Sequence, residues 1–387
     1  MGVDLAHTHI ETGADGRASL ELVLTRDQAA RLSGQGIGLT VKEVRGRAAS
    51  RVLREQSATG WRAFRSYSEP GGIRDELVAT AARYPKLTKL ETIGRTVQGK
   101  PILAVKVTKH ARSVPDGKRP AVLYIGTQHA REWITPEMTR RLMHHILDNY
   151  DRDATITQLV DSTELWFVPV ANPDGYDHTF TEGNRLWRKN LRDNNGDGRI
   201  TSGDGVDLNR NFAYKWGYDN EGSSPDPANE TYRGPAPNSE PETKALDRLF
   251  RRVGFEFFVN YHSAAELLLY GIGWQVATPS PDDVISQAMV GDDAHPAIPG
   301  YDPDISAELY TTNGDTDTHA TVRYGTIGFT PEMSTCEAAA NSVPDDEWRP
   351  EDCVRDFIFP DDEELIAAEG AKNLPFALAV ARSAADP

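Results

Sequence analysis

The chain has 387 residues, enough for one large domain and a small appendage. Hydrophobic residues make up 39% and charged residues 26%, and no apolar run reaches the about 18 residues that a membrane-spanning helix needs. Lys and Arg number 42 against 58 Asp and Glu; the formal charge of −16 argues against nucleic acid and anionic membranes as partners, and a monomer is expected.

Residues 1–60 read as a small β-α-β appendage. Ala18 to Thr25 alternates as a strand, Arg26 to Leu32 reads as a short helix and Gly36 to Val44 as a second strand. The appendage carries no catalytic constellation; a pro-region remnant, a folding aid and a partner-binding module are its candidate roles. Met1 to Leu5 lacks the basic and apolar regions of a signal peptide, so the chain is either cytoplasmic or an exported protein whose signal peptide has been removed. Export is the expectation. Arg51 to Gly72 reads as a polar connector ending in Pro70-Gly71-Gly72.

From residue 61 to 387 strands and helices alternate. Leu87 to Val107 suggests a hairpin turning at Thr96–Lys100. Ala121 to Ile125, Glu164 to Val170 and Phe255 to Tyr261 are short apolar runs typical of buried strands. Pro136 to Tyr150, Glu240 to Arg252 and Asp362 to Ala385 have helical patterning. The fold class is therefore α/β, with a central mixed, mostly parallel twisted sheet flanked by helices.

In such sheets, functional groups gather beyond the carboxyl ends of strands. His129-Ala130-Arg131-Glu132-Trp133 follows the strand Ala121–Ile125, and His262 follows Phe255–Tyr261. HxxE alone is weak, since a surface His beside a helix-starting Glu gives the same pattern. With His262 it completes a His₂Glu set that leaves one zinc position open for water. Glu332, after the run Thr326–Thr330, is a candidate base beside it. Arg188 and Asn209-Arg210 offer guanidinium forks for a carboxylate or oxyanion, or partners for this chain's many acids.

Taken together, HAREW, NPDGY (172–176), RLWRKN (185–190), DLNRNF (207–212), YHS (261–263) and Tyr310 placed 22 residues before Glu332 resemble the carboxypeptidase A/B family of zinc peptidases (funnelins), in particular its secreted bacterial members. The pieces occur in the family's order, over roughly residues 65–385. The resemblance implies His129, Glu132 and His262 as zinc ligands. It implies Asp207 as the acid that orients a ligand imidazole. Asn209 and Arg210 would hold the substrate's terminal carboxylate and Tyr310 would close on the substrate, with Arg131 as an accessory contact. Arg188 would stabilise the oxyanion and Glu332 would act as general base. The implied activity is release of single C-terminal residues from peptides. A murein-peptide peptidase and a non-catalytic peptide-binding module are the alternatives.

Two departures concern pocket shape: Pro331 precedes Glu332, and His319 stands where many relatives carry Trp. Asp317 falls where basic-specific relatives have a pocket acid, Asp315 aligns with a second such acid, and Gly273 would keep the pocket floor open. The expected preference is basic, or dual basic and apolar.

Two further features stand apart. Asp193 to Asp204 (DNNGDGRITSGD) places Asp193, Asn195, Asp197 and Asp204 around Gly198 in an EF-hand-like spacing, a candidate structural calcium loop; a polar turn is the other reading. Cys336 and Cys353, the only cysteines, suit one surface disulfide in an oxidising compartment; no CxxC spacing points to cysteine-bound zinc.

Overall fold

A computed structural model of the chain describes residues 10–12, 18–24, 26–276, 278–280, 282–343 and 348–385. The N-terminal part contains strands β1 (Ile10–Thr12) and β2 (Ala18–Leu20), helix α1 (Arg26–Gly34), strands β3 (Glu43–Val44) and β4 (Arg47–Ala48), and helix α2 (Ala49–Thr59). The body begins with α3 (Ile73–Arg83), β5 (Thr88–Arg95), β6 (Pro101–Val107), β7 (Ala121–Ile125), α4 (Ile134–Asn149), α5 (Ala154–Ser162), β8 (Glu164–Val168) and α6 (Pro173–Thr179). It continues with α7 (Pro241–Val253), β9 (Phe257–Asn260), β10 (His262–Ser263), β11 (Leu267–Tyr270), α8 (Asp283–Val290), β12 (Gly291–Asp292), β13 (His295–Pro296) and β14 (Asp302–Ile305). It ends with α9 (Ser306–Leu309), α10 (Thr316–Tyr324), β15 (Ile327–Met333), α11 (Cys336–Ala340) and α12 (Glu363–Ala385).

Nine strands form one sheet in the order β14-β11-β15-β9-β7-β8-β6-β5, with β10 extending the pairing of β15. Strands β15, β9, β7 and β8 run parallel, while β6 and β5 pair antiparallel with their neighbours and β11 pairs antiparallel with β15 but parallel with β14, so the sheet is mixed as expected.

The sequence of β7 shows why the sheet is covered on both faces. Successive side chains of a strand point to opposite faces. Val122 and Tyr124 enter the core shared with α4, α5 and α12, whereas Ala121, Leu123 and Ile125 enter the core under α7 and α10. The apolar stripe of α7 supplies Ala245, Leu246, Leu249 and Phe250 to that second core. Phe250→Ala there would cost about 3–5 kcal/mol.

These parallel strands deliver the site. β7, β9 and β15 carry the chain toward the same sheet end, where His129, His262 and Glu332 lie. Gly126 makes the exit from β7 possible: a Cβ there would sit 2.8 Å from the carbonyl oxygens of Pro169 and Thr135. Glu332 lies within β15 rather than beyond a strand. Pro331 falls beside the break between β9 and β10 on one side of β15 and opposite Leu268 of β11 on the other.

The N-terminal reading needs correction. Of Ala18–Thr25 only Ala18–Leu20 is strand, and of Gly36–Val44 only Glu43–Val44; Thr25 lies outside the described residues. The predicted connector contains helix α2, whose Val52 and Leu53 pack with Val44 against Ala264, Val354, Phe357 and Ile358 of the body. Arg45 adds an ion pair to Asp352 at 2.6 Å. Cys336 and Cys353 are joined in a disulfide. Among the described residues, no helix is long and apolar enough to cross a membrane.

Candidate active site

His129 and Glu132 face each other across the turn between β7 and α4, with Glu132 N–H donating to the His129 carbonyl at 3.3 Å. His129 Nδ1 lies 2.7 Å from Glu132 Oε1, and His262 Nδ1 lies 3.1 Å from Glu132 Oε2. The two Nδ1 atoms are 3.0 Å apart. All three side chains are buried, and among the described residues they form the one group of His, Cys, Asp or Glu near enough together to hold a metal. Two imidazole nitrogens aimed at one point beside a carboxylate are poor partners for each other. They are the donor set that zinc takes in sites with an open fourth position.

The far side of His129 is also held. Its Nε2 lies 3.2 Å from Asp207 Oδ1, which fixes the ring and leaves Nδ1 facing Glu132 and His262. Asp207 Oδ2 accepts from Arg188 Nε and Nη2 at 3.1 and 3.0 Å, and Oδ1 accepts from the Asn209 N–H at 2.9 Å. Burial opposes its charge, but Arg188 and His129 outweigh burial and hold its pKa well below the usual carboxylate range. For His129, burial and Arg188 favour the neutral ring, yet Glu132 and Asp207 prevail and raise its pKa. Burial pushes His262 down to about 4.

The site's arginines differ in their partners. Arg188 is bound to Asp207, and Arg131 donates to Glu230 at 2.8 Å with its guanidinium 4.3 Å from the Phe357 ring centre. Arg210 is 1% exposed and donates to the Asn209 carbonyl at 2.7 Å and to Tyr310 Oη at 3.2 Å. Its Nε has no hydrogen-bond partner and, among the described residues, no carboxylate forms an ion pair with it; burial opposes its charge, but Tyr310 and the more distant Asp207 outweigh burial and raise its pKa. Asn209 Oδ1 accepts from Thr316 N and Oγ1 at 2.9 and 2.8 Å, which ties the Asn209-Arg210 turn to the start of α10.

The same helix brings in the acids of the expected pocket. Asp317 is buried, with Thr330 Oγ1 donating to it at 3.0 Å. Burial, and then the nearby charge of Asp315, push its pKa up to about 7. Asp315 caps α10 by accepting from Thr318 N at 2.8 Å and from Thr312 Oγ1 at 3.0 Å. Gly273 closes this corner: a Cβ there would meet Thr312 Oγ1 at 2.2 Å. His319 bonds away from the pocket, to Asp247 at 2.7 Å.

The candidate calcium loop uses its oxygens internally. Asp193 accepts from Gly196 N and Gly198 N, Asn195 from Asp197 N, Asp197 from Arg199 N, and Asp204 from Asn194 N and Thr201 N. These are the bonds of a polar turn. Three residues near the site escaped the sequence reading: Glu230 and Phe357, which hold Arg131, and Gln128, whose amide joins Thr316 to Asn260. Gln128 adjoins His129 in sequence and offered the one local signal.

Comparison with known proteins agrees with this geometry. The family profile described as zinc carboxypeptidase (Peptidase_M14) matches residues 73–363. Metallocarboxypeptidase A of Trichophyton equinum is 32% identical over 287 residues, covering 71% of this chain and 63% of that protein. A metallocarboxypeptidase A-like protein of Trichophyton verrucosum is 35% identical over 237 residues, covering 59% of this chain and 53% of that protein. The match thus spans less than two thirds of these relatives' own lengths. Carboxypeptidase A from Helicoverpa armigera shares the fold, with a TM-score of 0.73 at 22% identity over 98% of this chain and 91% of that one. Thrombin-activatable fibrinolysis inhibitor does so at 0.70 and 23%, over 96% and 89%. The profile covers most of the chain and includes both histidines and both glutamates of the site, and on that ground the chain belongs to the zinc carboxypeptidase family.

Proposed function

We propose that the chain is a zinc-dependent metallocarboxypeptidase that releases single residues from the free C-termini of peptides. One observation carries this reading: a buried guanidinium without a carboxylate partner, Arg210, stands beside a His₂Glu set. A buried cation is costly unless paired. A substrate's terminal carboxylate supplies the missing partner, while an internal peptide bond or an amidated end does not. Arg131 and Arg188 already hold acids of the chain itself, so the anion is directed to Arg210.

The residues then take distinct roles. His129, Glu132 and His262 would hold zinc, with Asp207 orienting His129. Zinc bound there supplies a Lewis acid that polarises the scissile carbonyl and makes water acidic near neutral pH. Glu332 neighbours His262 as its parallel-strand partner. It takes the proton of the attacking water and returns it to the leaving amine. Arg188 turns one face of its guanidinium to the developing oxyanion while Asp207 holds the other. Tyr310, bonded to Arg210, closes over the bound residue.

We also propose a preference for C-terminal Lys or Arg. A buried carboxyl near neutrality, Asp317, gains its ionised form when a cation enters. The disulfide supports an oxidising, extracellular setting.

The reading is tested with peptides carrying free or amidated C-termini and with Arg210→Met. Loss of two charge-assisted hydrogen bonds, about 1.5–3 kcal/mol each, lowers kcat/KM for free C-termini by about 10²–10⁴-fold. Amidated peptides should be poor substrates for both proteins. Equal cleavage of free and amidated peptides by the parent chain would refute the terminal-carboxylate anchor.

A further inference from the structure

A cavity of about 720 Å³ lies between the N-terminal segment and the body. That is the size of ordinary small-molecule sites, about 300–1,000 Å³. Aliphatic side chains line both sides, Leu39, Val41 and Leu53 on one and Leu186 and Val354 on the other, with Ser19, Thr40, Ser50 and Ser57 among them. Four basic residues line it, Lys42, Arg54, Arg185 and Arg355, against the single acid Glu21. This reverses the charge balance of a chain whose net charge is −16.

Lys42 and Arg355 share Glu21 at 2.9 and 3.3 Å. Arg185 has no such partner. It is 2% exposed, stacks 3.7 Å from the Trp133 ring centre and donates Nη1–H to the Arg131 carbonyl at 2.7 Å. Its Nε and Nη2 are buried with no hydrogen-bond partner. Burial, with the charge of Arg131, pulls its pKa down to about 9 against the opposing influence of Tyr176 and Asp361, neither of which bonds to it. Leaving two guanidinium donors unpaired is unfavourable, and an anion in the cavity would relieve it. The catalytic steps above make no use of Arg185.

We propose that this cavity is a second ligand site that takes an amphipathic carboxylate, with its alkyl chain against the leucine and valine walls and its carboxylate on Arg185 Nε and Nη2. The site is separate from Arg210, and its occupancy does not depend on turnover.

The test is calorimetric titration of the full chain with decanoate, with decanol and decyltrimethylammonium as controls. One decanoate binds per chain, more weakly as salt rises, and neither control binds comparably. Arg185→Gln weakens binding about tenfold or more. Leu53→Trp, which fills the apolar side, abolishes it, and Leu39→Trp repeats that test at a more exposed wall. Thermal unfolding confirms that each variant is folded; should Arg185→Gln unfold, the salt dependence and the two Trp variants carry the test. Arg210→Gln binds decanoate as the parent does. Equal uptake of decanol, or decanoate binding indifferent to the cavity variants, overturns the proposal. Loss of binding in Arg210→Gln also overturns it, by placing the ligand at the substrate anchor.

Discussion

Asp317→Asn separates the pocket's charge from its shape. The carboxyl's pKa is displaced from 3.8 to about 7. At about 1.36 kcal/mol per unit, ionising it in the empty pocket costs about 4 kcal/mol. A substrate ammonium or guanidinium recovers much of that, whereas a Phe or Leu side chain recovers none. Removing one partner of such a buried pair costs about 3–5 kcal/mol, so kcat/KM for peptides ending in Lys or Arg falls about 10²–10⁴-fold while peptides ending in Phe are nearly unaffected. The pH dependence has a definite sign. The carboxyl must ionise to pair, so KM for Arg-ending peptides falls as pH rises toward about 7 and then levels. Stability moves the other way. A raised folded-state pKa favours the protonated form, and that contribution is lost as pH rises from 3.8 through about 7. Asp317→Asn should therefore raise the Tm at about pH 8 and leave it nearly unchanged below the unfolded pKa. The assay is kcat/KM for Arg- and Phe-ending peptides across this range in both proteins, with thermal unfolding at each end. An Arg-to-Phe ratio that ignores both pH and the substitution would refute the pocket assignment.

Two other substitutions probe the zinc end. Asp207→Asn keeps shape but removes the charge on His129 Nε2; zinc affinity, measured by competition with a chelator, should weaken about 10–100-fold, and unchanged affinity would remove Asp207 from that role. Glu332→Gln should lower kcat by about 10²–10⁴-fold with little change in KM, and full activity would exclude Glu332 as the base.

Much of this was legible in the sequence because strand ends deliver the chemistry. His129 and His262 each follow a continuous apolar run that can only be a buried strand, so their meeting at one sheet end follows from parallel order. The hairpin turn at Thr96–Lys100 was equally plain, closed by Thr96 N–H to the Lys100 carbonyl at 2.9 Å. Other parts depended on long-range contacts. Glu230 meets Arg131 across 99 residues, and nothing local marks it. Asp315 was legible as a pocket acid, but not its second task, capping the start of α10, which depends on where the helix begins. In Asp193–Asp204 the spacing of oxygens matched a calcium loop, yet Asn and Asp side chains readily bond their own backbone, as these do. Helix α2 was hidden by its polar composition; Ala49, Val52 and Leu53 hold the i, i+3, i+4 spacing that buries one face on the body.

The most direct test of the central claim is to strip the protein with a chelator, return one equivalent of zinc per chain, and follow a free-ended peptide by mass spectrometry. The account predicts stepwise loss of single C-terminal residues that stops on stripping and returns with zinc. Activity that survives complete zinc removal, or cleavage at internal bonds, would contradict it.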